Sequence, residues 1–245
     1  MMIIGINLPG YAGSNVVKEH YLESISALPT TELTLEAVTT LCEGDEASGN
    51  VFLVGHSFGA HTVINMAALD AVNKHNNALN VRGMALLAPV GCRPHKVLRP
   101  RESAIVVNLL RRYNPFISAI TPHFINAVYT KLLKFPSDLP PGHYIAGLMR
   151  AATTGFGVIG DQVKILRAAK LPSLVAWSQN DELMEEEISA ELAQMCHFGP
   201  RLAFAGGGHN VQKTRAEQVA DEMSKWVQEV LNGEEAEMQP TQYLP

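Results

Sequence analysis

Four apolar residues, Val51, Phe52, Leu53 and Val54, run without interruption into Gly55-His56-Ser57-Phe58-Gly59-Ala60. An unbroken run of this kind suits a central parallel strand covered by helices on both faces. Beyond it, Ala60, Val63, Ile64, Ala67, Ala68, Ala71 and Val72 recur at helical spacing, so the pattern predicts strand, tight turn and helix in succession. Residues 81–89 repeat the buried-strand pattern, as do Leu171-Pro172-Ser173-Leu174-Val175-Ala176-Trp177 and the short run Leu202-Ala203-Phe204-Ala205. Residues 2–7 read as one more buried strand. Leu33, Leu35, Ala37, Val38 and Leu41 supply a helix before the strand that starts at Val51, and Ala216, Val219, Ala220, Met223, Trp226, Val227, Val230 and Leu231 form a stripe that should cover one sheet face. Strands alternating with helices give an α/β fold with a mostly parallel sheet and helices on both faces.

Between residues 92 and 165 the pattern changes: strand alternation stops, and helical stripes are broken by Pro94, Pro100, Pro115, Pro122, Pro136, Pro140 and Pro141. This stretch reads as an inserted helical cap, with residues 1–91 and 166–231 forming the core. The acidic, polar residues 232–245 are expected to be disordered.

A glycine-flanked serine at a strand-to-helix turn has a physical logic. The turn forces the serine backbone into a strained conformation that lifts its hydroxyl out of the sheet, and side chains two residues away on either side would collide, so Gly55 and Gly59 are expected to relieve both collisions. A match to Gly-x-Ser-x-Gly alone is common, and an ordinary βα turn explains it equally well. With its flanking strand and helix, however, the stretch resembles the elbow of the α/β-hydrolase superfamily, in which chain order is nucleophile, acid, histidine. The resemblance implies that fold for residues 1–231, with residues 92–165 as its cap.

Both partners of such a serine are present in that order. Trp177-Ser178-Gln179-Asn180-Asp181 follows a predicted strand where the family carries its acid, although Ser178 stands where the family prefers glycine. Asp181 is the expected acid, and Glu182 and the run Glu185-Glu186-Glu187 compete with it; such a run more often begins a solvated helix. Gly206-Gly207-Gly208-His209 follows the last predicted strand, where the family carries Gly-His, and makes His209 the expected base. The glycines do not read as a phosphate cradle, because neither the Lys nor the Ser/Thr of a phosphate loop follows.

The resemblance also implies an oxyanion hole, with one donor from the amide of Phe58. The second depends on the loop Asn7-Leu8-Pro9-Gly10-Tyr11-Ala12-Gly13-Ser14. It resembles either the family's oxyanion loop after the third strand or the Asp-Leu-Pro-Gly turn after the next strand. Each βα unit takes about 30 residues or more, and the interval from Gly10 to Ser57 favours the second register, which leaves the family's first strands out of the chain. A strand-wide gap would strand backbone donors and acceptors at about 1 to 3 kcal/mol each. Residues 2–7 are therefore expected to pair with Val51 to Val54 and to bring the amides of Gly10 and Tyr11 to the serine.

With 245 residues and 47% hydrophobic content, the chain can bury one large core or a core plus a small subdomain. A net charge of -5 gives no reason to expect nucleic acid. Three cysteines without metal or redox spacing read as free thiols. No signal peptide or membrane span is apparent, so a cytoplasmic protein is the default. The cap is basic: Arg93, Lys96, Arg99, Arg101, Arg111, Arg112, Lys131, Lys134 and Arg150 face few acids. That is either a solvated helix surface or a face that meets an acidic substrate or makes peripheral contact with anionic membrane.

The resemblance implies a serine hydrolase acting on a carboxylic ester or related acyl bond of a small molecule or lipid, through an acyl-enzyme on Ser57 with His209 and Asp181, and with no metal or organic cofactor. Phe116, Ile117, Ile120, Phe124 and Val128 suggest an apolar acyl group. The alternatives are a hydrolase-fold binding or regulatory protein without a working oxyanion hole, and an incomplete chain of an active enzyme.

Overall fold

The computed structural model describes residues 2–11, 13, 14, 16, 18–42, 49–72, 79–98, 100–112, 114–234 and 239–245. In chain order its elements are α1 (Tyr21–Ser24), α2 (Ala27–Cys42), β1 (Val51–His56), α3 (Phe58–Val72), β2 (Val81–Leu87), α4 (Pro100–Arg111), α5 (Pro115–Ala127), α6 (Pro141–Thr153), α7 (Phe156–Ala168), β3 (Ser173–Ser178), α8 (Glu186–Met195), β4 (Arg201–Phe204), α9 (Val211–Thr214), α10 (Ala216–Leu231) and β5 (Gln242–Leu244). Two compact units divide the chain: Met1–Ala37 with Leu98–Thr154, and Val38–Val97 with Gly155–Pro245.

The second unit holds the sheet. Its five strands lie in the order β1-β2-β3-β4-β5, and every neighbouring pair is parallel. Parallel neighbours need a crossover; α3 provides it from β1 to β2, α8 from β3 to β4, and α9 with α10 from β4 to β5. Ala85, Leu87, Leu174, Ala176, Leu202 and Phe204 form one buried cluster with Val219, Trp226 and Val230 of α10, the helix whose apolar stripe the sequence assigns to a sheet face. Gly83 is required there, since a Cβ would come within 2.8 Å of the Trp226 ring. Helix α3 is buried on most of its circumference because it packs against β1, β2 and also α7.

The first unit is helical among its described residues. Its core gathers Ile25, Val107, Leu110, Ile125, Tyr144, Ile145, Ala146 and Met149, with Tyr11, Tyr21 and Tyr129 packed against them. Asn114 caps α5 by accepting the N–H groups of Phe116 and Ile117 at 3.0 and 3.3 Å, which satisfies donors that a helix start leaves open. Phe116, Ile120 and Phe124 recur every fourth residue of α5 and are exposed to 74%, 50% and 58%. Three of the residues read as an apolar lining thus face solvent.

Three expectations need correction. Residues 2–8 form no strand, and β1 pairs only with β2 among the described residues. Ile3 is 83% exposed, and an apolar run becomes a strand only where a ladder partner and a covering layer come together. The residues grouped with the first unit differ from the expected cap, since residues 2–37 belong to it and α7 to the sheet unit. Finally, the tail expected to be disordered contributes β5, in which Leu202, Ala203 and Phe204 stand opposite Gln242, Tyr243 and Leu244; residues 235–238 lie outside those described. No helix among the described residues is long and apolar enough to cross a membrane.

Candidate active site

Ser57 sits between the end of β1 and the start of α3 with φ at +54°, a left-handed conformation that costs a non-glycine residue about 1 to 3 kcal/mol. Hydrogen bonds hold it there. The Ser57 N–H donates to the Leu87 carbonyl at 3.0 Å, and the Ser57 carbonyl accepts from Ala60 at 3.0 Å and Val90 at 3.4 Å. Gly55 is needed because a Cβ would stand 2.4 Å from the Gly59 carbonyl oxygen. The expectation for Gly59 is wrong in detail: a Cβ there would meet nothing within 4 Å. The crowding is one-sided, with the Gly59 backbone as the obstacle and Gly55 as the residue that must yield.

The Ser57 hydroxyl lies 2.8 Å from His209 Nε2, and His209 Nδ1 lies 2.8 Å from Asp181 Oδ2. The other carboxylate oxygen of Asp181 accepts the N–H groups of Leu183 and Met184 at 2.8 and 3.0 Å. Burial alone would push the Asp181 carboxyl up, but the hydrogen bond and charge of His209, joined by those two amides, hold it below its usual value. A carboxylate ionised and anchored in this way fixes the imidazole with a proton on Nδ1 and leaves Nε2 to accept from serine. Glu182, the competing acid, lies outside this chain of bonds, with its carboxylate against Gly208.

Several neighbours that sequence reasoning did not single out hold the histidine loop. The Gly208 N–H donates to Asn180 Oδ1 at 3.0 Å, the Thr214 hydroxyl to the Gly207 carbonyl at 2.8 Å, and Arg215 Nε to the Gly206 carbonyl at 2.9 Å. Asn180, directly before the acid, was the one with a positional signal; Thr214 ends α9, Arg215 links it to α10, and neither had one. His56 Nε2 donates to the His209 carbonyl at 2.8 Å, and burial lowers the His56 pKa.

Phe58 opens α3, so its N–H has no carbonyl four residues back to bond and lies at the positive end of the helix dipole. Its side chain packs against the cluster of Val90, Met184 and Ile188, and meets the rings of His61 and His95 edge-on. The assignment of the Tyr11 amide to the oxyanion hole needs correction, because that N–H donates to the Leu8 carbonyl at 3.0 Å in a turn. Gly10 has a structural reason of its own: φ is +83°, and a Cβ would press on Ile25 and Ala146 at 2.8 and 2.9 Å. Among the described residues no group of three or more His, Cys, Asp or Glu converges as a metal site requires.

A family model described as the alpha/beta hydrolase family matches residues 3–222. Among curated proteins none matches the sequence. Solved structures do. A thermophilic esterase from Thermogutta terrifontis superposes with a TM-score of 0.57 at 21% identity, covering 91% of this chain and 78% of that one. The N-acyl homoserine lactonase AidH, complexed with N-hexanoyl homoserine lactone, gives 0.58 at 14% identity over 92% and 79%. A hydrolase from Oleispira antarctica gives 0.57 at 14% over 89% and 78%. At these identities the likeness is one of fold.

Proposed function

Because the chain belongs to the alpha/beta hydrolase family, we propose that it is a serine hydrolase cleaving a carboxylic ester or related acyl bond of a small molecule. The observation that carries the reading is the unbroken relay from Asp181 through His209 to Ser57, with both links at 2.8 Å. In this reading the Ser57 oxygen attacks the acyl carbon as His209 Nε2 takes its proton. The proton then goes to the leaving alcohol oxygen as the carbon–oxygen bond breaks, leaving an acyl-serine. A water, deprotonated by His209, releases the acid in the second half. The Phe58 N–H supports the developing oxyanion; one donor is worth about 10² to 10³ in rate. That esterases and a lactonase share the fold supports an ester-like substrate.

Labelling with a serine-reactive fluorophosphonate tests this. Ser57 should be the labelled residue, with labelling lost in Ser57→Ala and His209→Ala. Asp181→Asn should lower turnover of a short-chain ester by about 10³ to 10⁴, while Glu182→Gln leaves it near wild type. Labelling that survives Ser57→Ala overturns the proposal.

Peripheral contact with anionic membrane is also proposed, for the α5 face. Phe116, Ile120 and Phe124 stand exposed there, and Arg111, Arg112, Lys131 and Lys134 are exposed in the same unit. Apolar anchors accompanied by cations suit an interfacial helix. Two residues of the supposed basic surface do not belong to it: Arg93 is paired with Glu191, and Arg150 is buried.

A further inference from the structure

Among the described residues two arginines are buried, and the fold treats them in opposite ways. Arg201, 6% exposed, gives its guanidinium hydrogens to the carbonyls of Ala193, Ser173, Gly199, Pro200 and His197. Arg150, in the last turn of α6 and 5% exposed, has no such collar. Among the described residues its Nε and Nη2 are buried without a hydrogen-bond partner, and no carboxylate forms an ion pair with it. A guanidinium cannot shed its charge at physiological pH, so leaving it buried and unpaired is among the costliest arrangements a protein can hold.

What surrounds it defines what is missing. The Arg150 carbon lies 5.1 Å from the centre of the Tyr11 ring, a cation–π contact. Tyr11 in turn meets the His143 ring at 5.4 Å, and the Tyr11 hydroxyl sits against Gly147, one turn before Arg150, where a Cβ would come within 3.3 Å. A ring contact stabilises the cation but accepts none of the in-plane N–H bonds. The two unsatisfied nitrogens, Nε and Nη2, form one edge of the guanidinium. That edge has a worked example in the same chain: Arg93 uses Nε and Nη2 to hold the two oxygens of Glu191 at 2.9 and 3.1 Å. Planar bidentate recognition of this kind is what arginine does best.

We propose that Arg150, backed by Tyr11, is a binding site for the carboxylate of a small molecule, gripped side-on by Nε and Nη2. The ligand supplies the anion that the fold withholds. Its carboxylate belongs to a separate small acid.

Thermal unfolding and isothermal titration calorimetry with sodium hexanoate test the site without any turnover, so its failure is separate from failure of the hydrolase reading. Hexanamide and sodium chloride at matched ionic strength are the controls. Hexanoate alone should raise the melting temperature of the wild type. Arg150→Met should weaken hexanoate binding about tenfold to hundredfold and, without hexanoate, unfold no lower than wild type, because it removes an uncompensated charge. A melting temperature well below wild type in the absence of hexanoate, equal binding by the variant, or no hexanoate effect on wild type overturns the proposal. Arg150→Lys, which keeps the charge without the fork, should also bind less tightly; equal binding again overturns it.

Discussion

His56 and His209 are joined by a hydrogen bond from the ring of the first to the backbone carbonyl of the second, at 2.8 Å, with their rings 4.9 Å apart. The residue before the proposed nucleophile therefore grips the main chain of the proposed base, and the end of β1 and the loop after β4 are tied at one point.

His56 is accordingly a positioning residue. His56→Leu should lower kcat on a short-chain ester about tenfold, the value of one such bond, with KM little changed. His56→Gln, which can still donate to the carbonyl, should recover part of the loss. A variant that loses affinity but keeps kcat would place His56 in substrate contact instead.

The two elbow glycines should respond unequally. Gly55→Ala drives a methyl to 2.4 Å from the Gly59 carbonyl and should destabilise the protein by about 1 to 3 kcal/mol in urea unfolding, with loss of fluorophosphonate labelling. Gly59→Ala meets open space and gains helix propensity in the first turn of α3, about 0.5 to 1 kcal/mol. It should fold at least as well as wild type.

Acid should act through His61. Burial brings its pKa down to about 4, and the ring hydrogen-bonds the Gly91 carbonyl at 2.9 Å. An unfolded histidine takes its proton near pH 6.5, so the stabilisation is complete above that pH and is lost as pH falls through 6.5 towards 4. Wild-type stability should drop by about 2 kcal/mol from His61 alone between about pH 7 and pH 5. His61→Gln, a donor that does not titrate, should flatten that part of the curve. An equal slope in both proteins would remove His61 as the cause.

Sedimentation with liposomes rich in phosphatidylserine addresses the α5 face. Phe116→Ser with Phe124→Ser should reduce co-sedimentation at low and at moderate salt, whereas Arg111→Glu with Arg112→Glu should reduce it mainly at low salt, where charges are least screened. Co-sedimentation of both double variants at the wild-type level would leave the face simply solvated.

What could be read in the sequence was what short-range physics determines. The apolar run before Ser57, the crowding at Gly55 and the glycines before His209 each express a local requirement, and those segments lie where their patterns implied. Parallel neighbours and covering helices follow from strands that are apolar on both faces. Residues 2–8 failed because an apolar run does not name its ladder partner. Gln242–Leu244 failed in the opposite sense: a short polar-flanked tail has no core pattern, yet the open edge of β4 gives its backbone bonds to complete. Arg150 looked like surface charge because sequence records charge and spacing but not which side of α6 is enclosed. The turn bond that occupies the Tyr11 amide is invisible in composition or motif alike.

The strand order carries a consequence for synthesis. Each strand pairs with the one made just before it, so a ribosome can lay the sheet down from one edge to the other with no strand waiting for a later one to be inserted beside it. Ser57 emerges early and folds at its elbow against β2. Asp181 and His209 arrive only after β3 and β4 have been translated, and Ala205, whose N–H donates to Leu244 at 2.8 Å, must wait for the final strand. Until β4 and the loop after it have been made the chain thus displays an ordinary serine, and the alignment that would make it a nucleophile waits for Asp181 and His209.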